Sequence, residues 1–265
     1  MSGLRTSEEV DIQVRNRGQV PEEAGAYARR KVLVVISHVS EPVLSAHVKL
    51  TQAAHASASR PATAQAVVDV NGRPVRAHVA ATTMFEAVDL LQERLTARIA
   101  RARRYRARGS RGGGPEDRTW QDGPGHEHRP HRRHLPAEER RIIRHKSFSL
   151  ARQTPQDAVI DLEAMDHDFW LFTDLASGHD SVVYRDAVGG RHRMASLGTT
   201  GRRRDFEGPL SVSTVPVPVS DVDGAVRRLR LTGLPFVFFH DTGTGRGSVL
   251  YHRYDGHYGL ITPAL

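Results

Sequence analysis

The feature that most constrains the fold is an internal repeat, with a constant offset of 67 residues, in the last 115 residues of the chain. A fixed period of this kind indicates a duplicated structural unit. The first copy contains Phe169, Phe172, Asp174, Gly178, Ser181, Val182, Tyr184 and Gly189, which recur as Phe236, Phe239, Asp241, Gly245, Ser248, Val249, Tyr251 and Gly256. The chain therefore carries two copies of one small domain.

Both copies show the same order of local signals. A helix is expected to begin near Thr154 in the first copy and near Ser220 in the second, because hydroxyl side chains favour helix N-termini. An aromatic strand, a glycine-containing turn and a second strand follow, at 169–172 and 181–184 or at 236–239 and 248–251. A third strand is expected at 256–261, with a more polar counterpart after Gly189.

The length of each copy favours association of the two. About 50 residues bury too little apolar surface for a comfortable independent core. Pairing of the copies would extend a sheet and bury the aromatic faces together, whereas two separate small cores are the alternative. The predicted pairing interface comprises Phe169, Phe172, Val182, Tyr184, Phe236, Phe239, Val249 and Tyr251.

The first 105 residues predict a different domain. A strand at 11–15 precedes a helix that begins at Pro21, and a strand at 44–51 places Leu44, Ala46, Val48 and Leu50 on one face. Asn71-Gly72 between the apolar runs 64–70 and 75–81 predicts a tight hairpin. From Met84 onward the apolar residues follow a helical period. The order β-α-β-β-β-α predicts a two-layer α+β domain with both helices on one face of a four-stranded sheet.

Composition shifts give the domain boundaries. We expect an N-terminal domain at 10–105, a flexible basic linker rich in Gly, Pro, His and Arg at 106–144, and the two repeat domains at 145–205 and 210–265.

No apolar run is long enough to span a bilayer, and the first residues lack the apolar core of a signal peptide. The sequence therefore predicts a cytoplasmic protein with no membrane partner.

Charge and cysteine content limit the chemistry. The chain has no Cys, which excludes thiol catalysis and cysteine-based metal sites. Lys and Arg total 38 against 30 Asp and Glu, so the net charge is +8, and nearly all the cations are Arg. This excess favours a polyanionic partner.

The arginines concentrate in the N-terminal domain. Arg94, Arg98 and Arg101 form one ridge of its second helix, and Arg103, Arg104, Arg106 and Arg108 continue the charge. Arg29, Arg30 and Lys31 lie in its first helix, and Arg15 and Arg17 end its first strand. Guanidinium groups suit phosphate oxygens, so an exposed surface of this kind would bind RNA through phosphates and sugars. The alternative is an ordinary solvated helix face.

Enzymatic alternatives have little support. His126, His128, His131 and His134 lack acidic partners at metal-binding spacing. The cluster Asp166-His167-Asp168 is replaced by Gly233-Leu234-Pro235 in the second copy, which favours a role in a turn. No phosphate-binding loop, nucleophile elbow or zinc-protease motif is present. We therefore expect neither an enzyme nor a bound metal or cofactor.

Several segments resemble one known family. Residues 67–89, VVDVNGRPVRAHVAATTMFEAVD, resemble the strand, Asn-Gly hairpin, strand and helix entry of the N-terminal domain of bacterial ribosome hibernation-promoting factors, and AYARRK at 26–31 resembles its first helix. MDHDFWLF at 165–172 and DGHYGLI at 255–261 resemble the C-terminal domain of the long forms. The doubled C-terminal domain is similar to the mycobacterial-type members associated with hypoxia.

The resemblance implies a non-enzymatic function. The N-terminal domain of the family binds the small ribosomal subunit, its rRNA and proteins, over the mRNA channel and the A and P tRNA sites. Translation is silenced reversibly during stress or dormancy. The residues of this chain that the resemblance assigns to rRNA binding are Arg15, Arg17, Arg29, Arg30, Lys31, Arg94, Arg98, Arg101 and Arg104. A general nucleoid-type nucleic-acid-binding protein remains the alternative.

The long forms of the family have one C-terminal domain, which pairs between two ribosome-bound copies. In this chain two such domains are tethered together, and a short tether gives an effective concentration on the order of millimolar. We therefore expect an internal pseudo-dimer and single idle ribosomes. The alternative is that the two copies bind different ribosomal surfaces as a second anchor.

Overall fold

The computed structural model describes residues 10–53, 60–109, 135–186, 191–198 and 210–264. These residues form two compact units. The first contains 10–53, 60–109 and the short segment 163–166, and the second contains the remaining described residues. Among the described helices, none is long and apolar enough to cross a membrane.

The first unit has the predicted β-α-β-β-β-α order. Its elements are β1 (Ile12–Arg17), α1 (Glu22–Ser37), β2 (Val43–Gln52), β3 (Ala62–Val70), β4 (Arg73–Ala81) and α2 (Met84–Gly109). The sheet order is β1-β2-β3-β4, in which β1 runs parallel to β2 and the other neighbours are antiparallel. The α+β fold class predicted for this unit is confirmed.

Local sequence signals explain two of its boundaries. Asn71 and Gly72 both have positive φ angles, 54° and 78°, as a two-residue hairpin turn requires, and they join the paired ends of β3 and β4. At the start of α2 the backbone N–H of Glu86 donates to the Thr83 hydroxyl, while the Glu86 carboxylate accepts from the Thr83 N–H. This reciprocal capping box satisfies donors that the first helical turn leaves unpaired.

The core of the first unit is built from small aliphatic side chains. Alternate residues of β3, from Ala62 to Val70, are buried, and they form one cluster with residues of both helices. Because only one face of the sheet is buried in this way, α1 and α2 lie on the same face. Leu44 was expected to share that face but is exposed, since a register shift between Val43 and Ser45 interrupts the alternation.

The second half of the chain contains the two repeats and the strands that precede them, and its described residues lie in the second unit except for the segment 163–166. In the first half the elements are β5 (Ile142–Phe148), β6 (Arg152–Gln153), α3 (Pro155–Ala164), β7 (Phe169–Asp174), β8 (Asp180–Arg185) and β9 (His192–Ser196). In the second half they are β10 (Leu210–Val212), β11 (Val219–Ser220), α4 (Val222–Thr232), β12 (Phe236–Asp241), β13 (Gly247–His252) and β14 (Tyr258–Pro263). The three strands predicted for the second copy and the polar counterpart in the first are all present.

The two sheets of this unit exchange strands. Their orders are β10-β9-β8-β7-β6 and β11-β12-β13-β14-β5. Strand β5 precedes the first repeat but runs parallel to β14 of the second, and β10 precedes the second repeat but runs parallel to β9 of the first. Each repeat therefore completes its sheet with the strand that leads into the other repeat.

The helix ends of the repeats follow the predicted turn chemistry. Helix α4 is capped by Asp221, which lies next to the expected Ser220 and accepts a hydrogen bond from the Gly224 N–H. It ends at Gly233 with a φ of 62°, and the equivalent residue after α3, Asp166, has a φ of 52°. The turn role expected for Asp166 is confirmed, although a left-handed conformation costs a non-glycine residue some energy.

Candidate nucleic-acid interface

The exposed face of the first unit's sheet carries cations at the β1 edge. Arg15 and Arg17 are exposed, and they project from the side opposite the buried Ile12, because strand side chains alternate. Arg15 pairs in register with Lys49 of β2, and the neighbouring pair is Gln13 with His47. Lys49 and His47 are exposed as well, so this face presents several hydrogen-bond donors to solvent.

Lys49 was not among the sequence-predicted site residues. The signal that could have found it was available, since the alternation that buries Ala46, Val48 and Leu50 places His47 and Lys49 on the opposite face. Its proximity to Arg15 depends on the parallel pairing of β1 with β2, which the sequence pattern did not specify.

The three cations of α1 differ in their exposure and in the contacts they make. Arg29 and Arg30 are exposed, and the Arg29 guanidinium also donates to the backbone carbonyl of Ile12 at 3.2 Å, which holds it beside β1. Lys31 forms an ion pair with Asp89 at 2.8 Å. Hydrogen bonding to Asp89, followed by that to Tyr27, raises the pKa of Lys31. Arg29 and Arg30 are therefore the better placed of the three for an external anion.

The arginines on the ridge of α2 already form ion pairs within the first unit. Arg94 contacts the Asp166 carboxylate at 3.1 Å, and its side chain is 7% exposed. Arg98 also binds Asp166 and donates to the backbone carbonyl of Glu163, and Arg101 contacts the Glu163 carboxylate at 3.3 Å. The spacing does place the three arginines on one ridge. Arg94 and Arg98 are not, however, the exposed side chains that the sequence suggested, because the segment 163–166 covers them.

Two neighbouring groups complete the electrostatics of this region. Burial, and then the charge of Arg76, lowers the pKa of His78 to about 3, so His78 adds no positive charge at neutral pH. Arg103 forms an ion pair with Glu41 at 2.9 Å, whereas Arg104 is exposed.

The side chains of Arg106 and Arg108 lie outside the described residues, as do His126, His128, His131 and His134. Among the residues that are described, no acidic or histidine cluster could hold a metal ion.

The exposed cations therefore form a smaller set than the sequence predicted. Of the residues that the sequence predicted, Arg15, Arg17, Arg29, Arg30 and Arg104 are exposed, and the structure adds Lys49. The hydrogen bond from Arg29 to Ile12 places Arg29 at the same edge of the sheet as Arg15 and Arg17. This edge can bind several phosphate groups without first breaking a buried ion pair.

A second candidate surface lies between the repeats. One buried cluster combines Leu171 and Val182 of the first repeat with Phe238 and Val249 of the second. The rings of Phe169, Tyr184, Phe236 and Tyr251 pack against it. Phe172 and Phe239, which the sequence assigned to the interface, instead fill the separate cores of the first and second repeat. The physical reason is strand alternation: Phe169 and Phe172 are three residues apart and therefore face opposite sides.

The ring contacts are reciprocal. Phe169 lies 5.6 Å from Tyr251, and the equivalent pair, Phe236 and Tyr184, is separated by the same distance. Phe169 and Phe236 contact each other at 4.8 Å. Reciprocal contacts between equivalent residues are the signature of an approximate two-fold arrangement.

The comparisons with known proteins identify the class of the repeats. Residues 137–190 and 211–260 each match the family described as Sigma 54 modulation/S30EA ribosomal protein C terminus. The two matched ranges coincide with the two halves of the internal repeat. The second half of this chain is therefore similar, in two copies, to the C-terminal domain of that family.

Individual relatives agree with this assignment. The dormancy associated translation inhibitor of Mycobacterium tuberculosis is 44% identical over 154 residues, which are 55% of this chain and 54% of that protein. The ribosome hibernation promotion factor of Deinococcus radiodurans is 48% identical over 44 residues, or 17% of this chain and 22% of that protein. The chain thus matches about half the length of the first of these relatives.

A solved ribosomal subunit interface protein from Coxiella burnetii is similar to 36% of this chain and 99% of its own, with 15% identity and a TM-score of 0.31.

Proposed function

We propose that this protein is a ribosome hibernation factor. In this proposal its N-terminal unit binds the small ribosomal subunit over the mRNA channel and the A and P tRNA sites and silences translation reversibly. The observation that carries the proposal is the exposed cationic edge of a domain joined to two S30EA-type repeats. The names of the relatives, a translation inhibitor and a hibernation promotion factor, support it. The proposed function needs no catalysis or cofactor, and it would be carried out in the cytoplasm, where ribosomes work.

The contacts with rRNA divide into two groups. Arg15, Arg17, Arg29, Arg30 and Arg104 are exposed and can bind phosphates directly, together with Lys49. Lys31, Arg94, Arg98 and Arg101 already contact carboxylates, so they join the interface only where RNA displaces those partners. The ion pairs of Arg94 and Arg98 are largely buried and therefore costly to break, and we assign most of the initial affinity to the first group.

We further propose that the two repeats pair within one chain and leave no matching interface for a second chain. The shared cluster, the reciprocal ring contacts and the exchanged strands support this proposal. An internally satisfied pair would produce single silenced ribosomes. The alternative is a C-terminal unit that contacts a ribosomal surface of its own.

Sedimentation of purified ribosomes with the full chain tests both proposals. We expect the protein to co-sediment with single ribosomes, and a dominant peak of paired ribosomes would contradict internal pairing. Replacing Arg15, Arg17 and Lys49 together by Ala should weaken binding by at least 10-fold at physiological salt. The slope of log affinity against log salt should fall by about 2 to 3, since each phosphate contact contributes about 0.9.

The matched control replaces three exposed arginines of α4, Arg227, Arg228 and Arg230, by Ala. It removes the same charge and should leave ribosome affinity within about 2-fold, because most surface substitutions away from an interface have small effects. Equal losses in both variants would support the C-terminal anchor and contradict the proposed edge. Equal affinity of the unchanged chain for duplex DNA and for ribosomes at one salt concentration would instead indicate a general nucleic-acid-binding protein.

A further inference from the structure

One contact between the repeats breaks their equivalence. In the repeat alignment His179 and Asp180 correspond to Arg246 and Gly247, and these residues lead into the equivalent strands β8 and β13. The Asp180 carboxylate accepts hydrogen bonds from Arg246 Nε at 2.7 Å, from Arg246 Nη2 at 3.0 Å and from the Gly247 backbone N–H at 2.9 Å. The Asp180 side chain is 4% exposed. This bidentate pair, in which the carboxylate is buried and the guanidinium is partly exposed, joins the first repeat directly to the second.

Equivalent positions meet at this point. A Cβ atom built on Gly247 would lie 2.8 Å from the Cβ of Asp180 and 2.8 Å from the Phe238 ring. Real Cβ atoms do not approach other atoms so closely, so position 247 can carry no side chain while position 180 carries one. At this position the two repeats therefore fit together because their equivalent residues differ, which departs from two-fold symmetry.

The charge of Asp180 reinforces the steric argument. Burial alone would raise the pKa of Asp180, but the hydrogen bonds from Arg246 and Gly247 outweigh this effect and hold the pKa below its usual range. Asp180 is thus ionised at neutral pH. Two first repeats brought together in the same way would place two carboxylates at one buried point, with His179 in place of Arg246. Two second repeats would place Arg246 opposite a glycine with no carboxylate to bind.

We propose that Asp180, Arg246 and Gly247 make the pairing of the repeats heterotypic: a first repeat accepts a second repeat and rejects another first repeat. This inference rests on the proposed internal pairing and adds its specificity. The contact excludes association of like repeats from two chains. The tether then favours the second repeat of the same chain over that of a neighbour. Repulsive as well as attractive contacts are a general means of fixing partner choice.

The full chain allows a direct test, because either dipeptide can be placed in both repeats. The combination Arg246→His with Gly247→Asp gives both repeats the His-Asp dipeptide. The combination His179→Arg with Asp180→Gly gives both repeats Arg-Gly and adds no bulk beside Phe238. All four substitutions together, made with Phe238→Leu so that a side chain at position 247 has room, exchange the dipeptides and restore complementarity with reversed polarity. Phe238→Leu alone is the reference for this exchanged chain. The thermal midpoint of the C-terminal unit, followed by Trp170 fluorescence in chains that also carry Trp120→Phe, measures each variant.

The thermal midpoint of the His-Asp variant should fall by about 10 °C, because two carboxylates are crowded together. The midpoint of the Arg-Gly variant should fall by about half as much. The exchanged chain should regain most of the loss, which is the non-additivity expected of residues in contact. If the thermal midpoint of the exchanged chain falls by the sum of the two separate decreases, the proposal is overturned. If the His-Asp variant does not fold, the Arg-Gly variant and the exchanged chain still decide the outcome.

The test also separates this inference from the proposals on which it rests. If the repeats did not pair at all, both two-residue variants would keep their midpoints within about 2 °C of the unchanged chain, and so would Phe238→Ala. If they pair without this specificity, Phe238→Ala lowers the midpoint while the exchange rescues nothing. Ribosome binding is measured separately, so its failure would leave the result of the exchange intact.

Discussion

The two units form their hydrophobic cores in different ways. The first closes one continuous core of alanine and valine side chains between a sheet and two helices. The second contains two smaller cores, one in each repeat, and joins them through a cluster to which both repeats contribute. A chain segment of about 100 residues can bury enough surface alone, whereas one of about 50 residues needs a partner. The difference explains why the aromatic residues concentrate in the C-terminal half.

The strongest test of this difference removes a ring from the shared cluster. Phe238→Ala should destabilise the C-terminal unit by about 4 kcal/mol, because the ring is buried and a cavity would remain. Phe238→Leu, which copies the equivalent Leu171, should cost far less. Urea unfolding followed by Trp170 fluorescence, in chains that also carry Trp120→Phe, measures the effect. Leu234→Ala at a half-exposed position is the control. A loss below about 1 kcal/mol would show that the repeats fold independently of this cluster.

A smaller effect is expected in the first unit, at a charge instead of a ring. Arg94→Ala leaves the buried Asp166 carboxylate short of one partner, and this should cost about 3 kcal/mol of stability. The exposed Arg104→Ala should change stability by less than about 0.5 kcal/mol. Circular dichroism during urea unfolding compares the two variants. Equal stabilities would mean that Arg94 is as available to RNA as the sequence suggested.

The smallest of the three effects depends on pH. Because the pKa of His78 is about 3 in the folded unit and about 6.5 in an unfolded chain, the unfolded state takes up the proton first as the pH falls. The stability that the neutral imidazole provides is complete above about pH 6.5 and declines toward pH 3. At pH 5 we expect a loss of about 2 kcal/mol relative to pH 7. The His78→Gln variant should lack this loss, and an unchanged pH profile would contradict the assignment.

The sequence predicted the features that depend on neighbouring residues. The Asn71-Gly72 turn, the start of α2 at Met84 and the repeated strands all follow from local turn chemistry or from periodicity. The assignment of Phe172 to the interface was wrong because the aromatics were grouped without regard to strand alternation. That error could have been avoided from the sequence alone.

Other features could not be read from local patterns. Strand β5 is mostly exposed and has no alternation, and its partner β14 lies more than a hundred residues away. The carboxylate that occupies Arg94 is 72 residues distant in the chain. Long-range pairings of this kind leave no periodic trace, because each partner looks like an ordinary surface residue until the chain folds.

The exchanged strands impose an order on the synthesis of the protein. The sheet of the first repeat is completed as soon as β10 has been made, shortly after β9. Strand β5, in contrast, waits for β14, which is translated roughly 110 residues later, or on the order of 10 s. During that interval the nascent chain presents an unpaired strand that carries Arg144 and Lys146, and these charges discourage it from joining a foreign sheet. The C-terminal unit can therefore close only when its last strand has left the ribosome that made it.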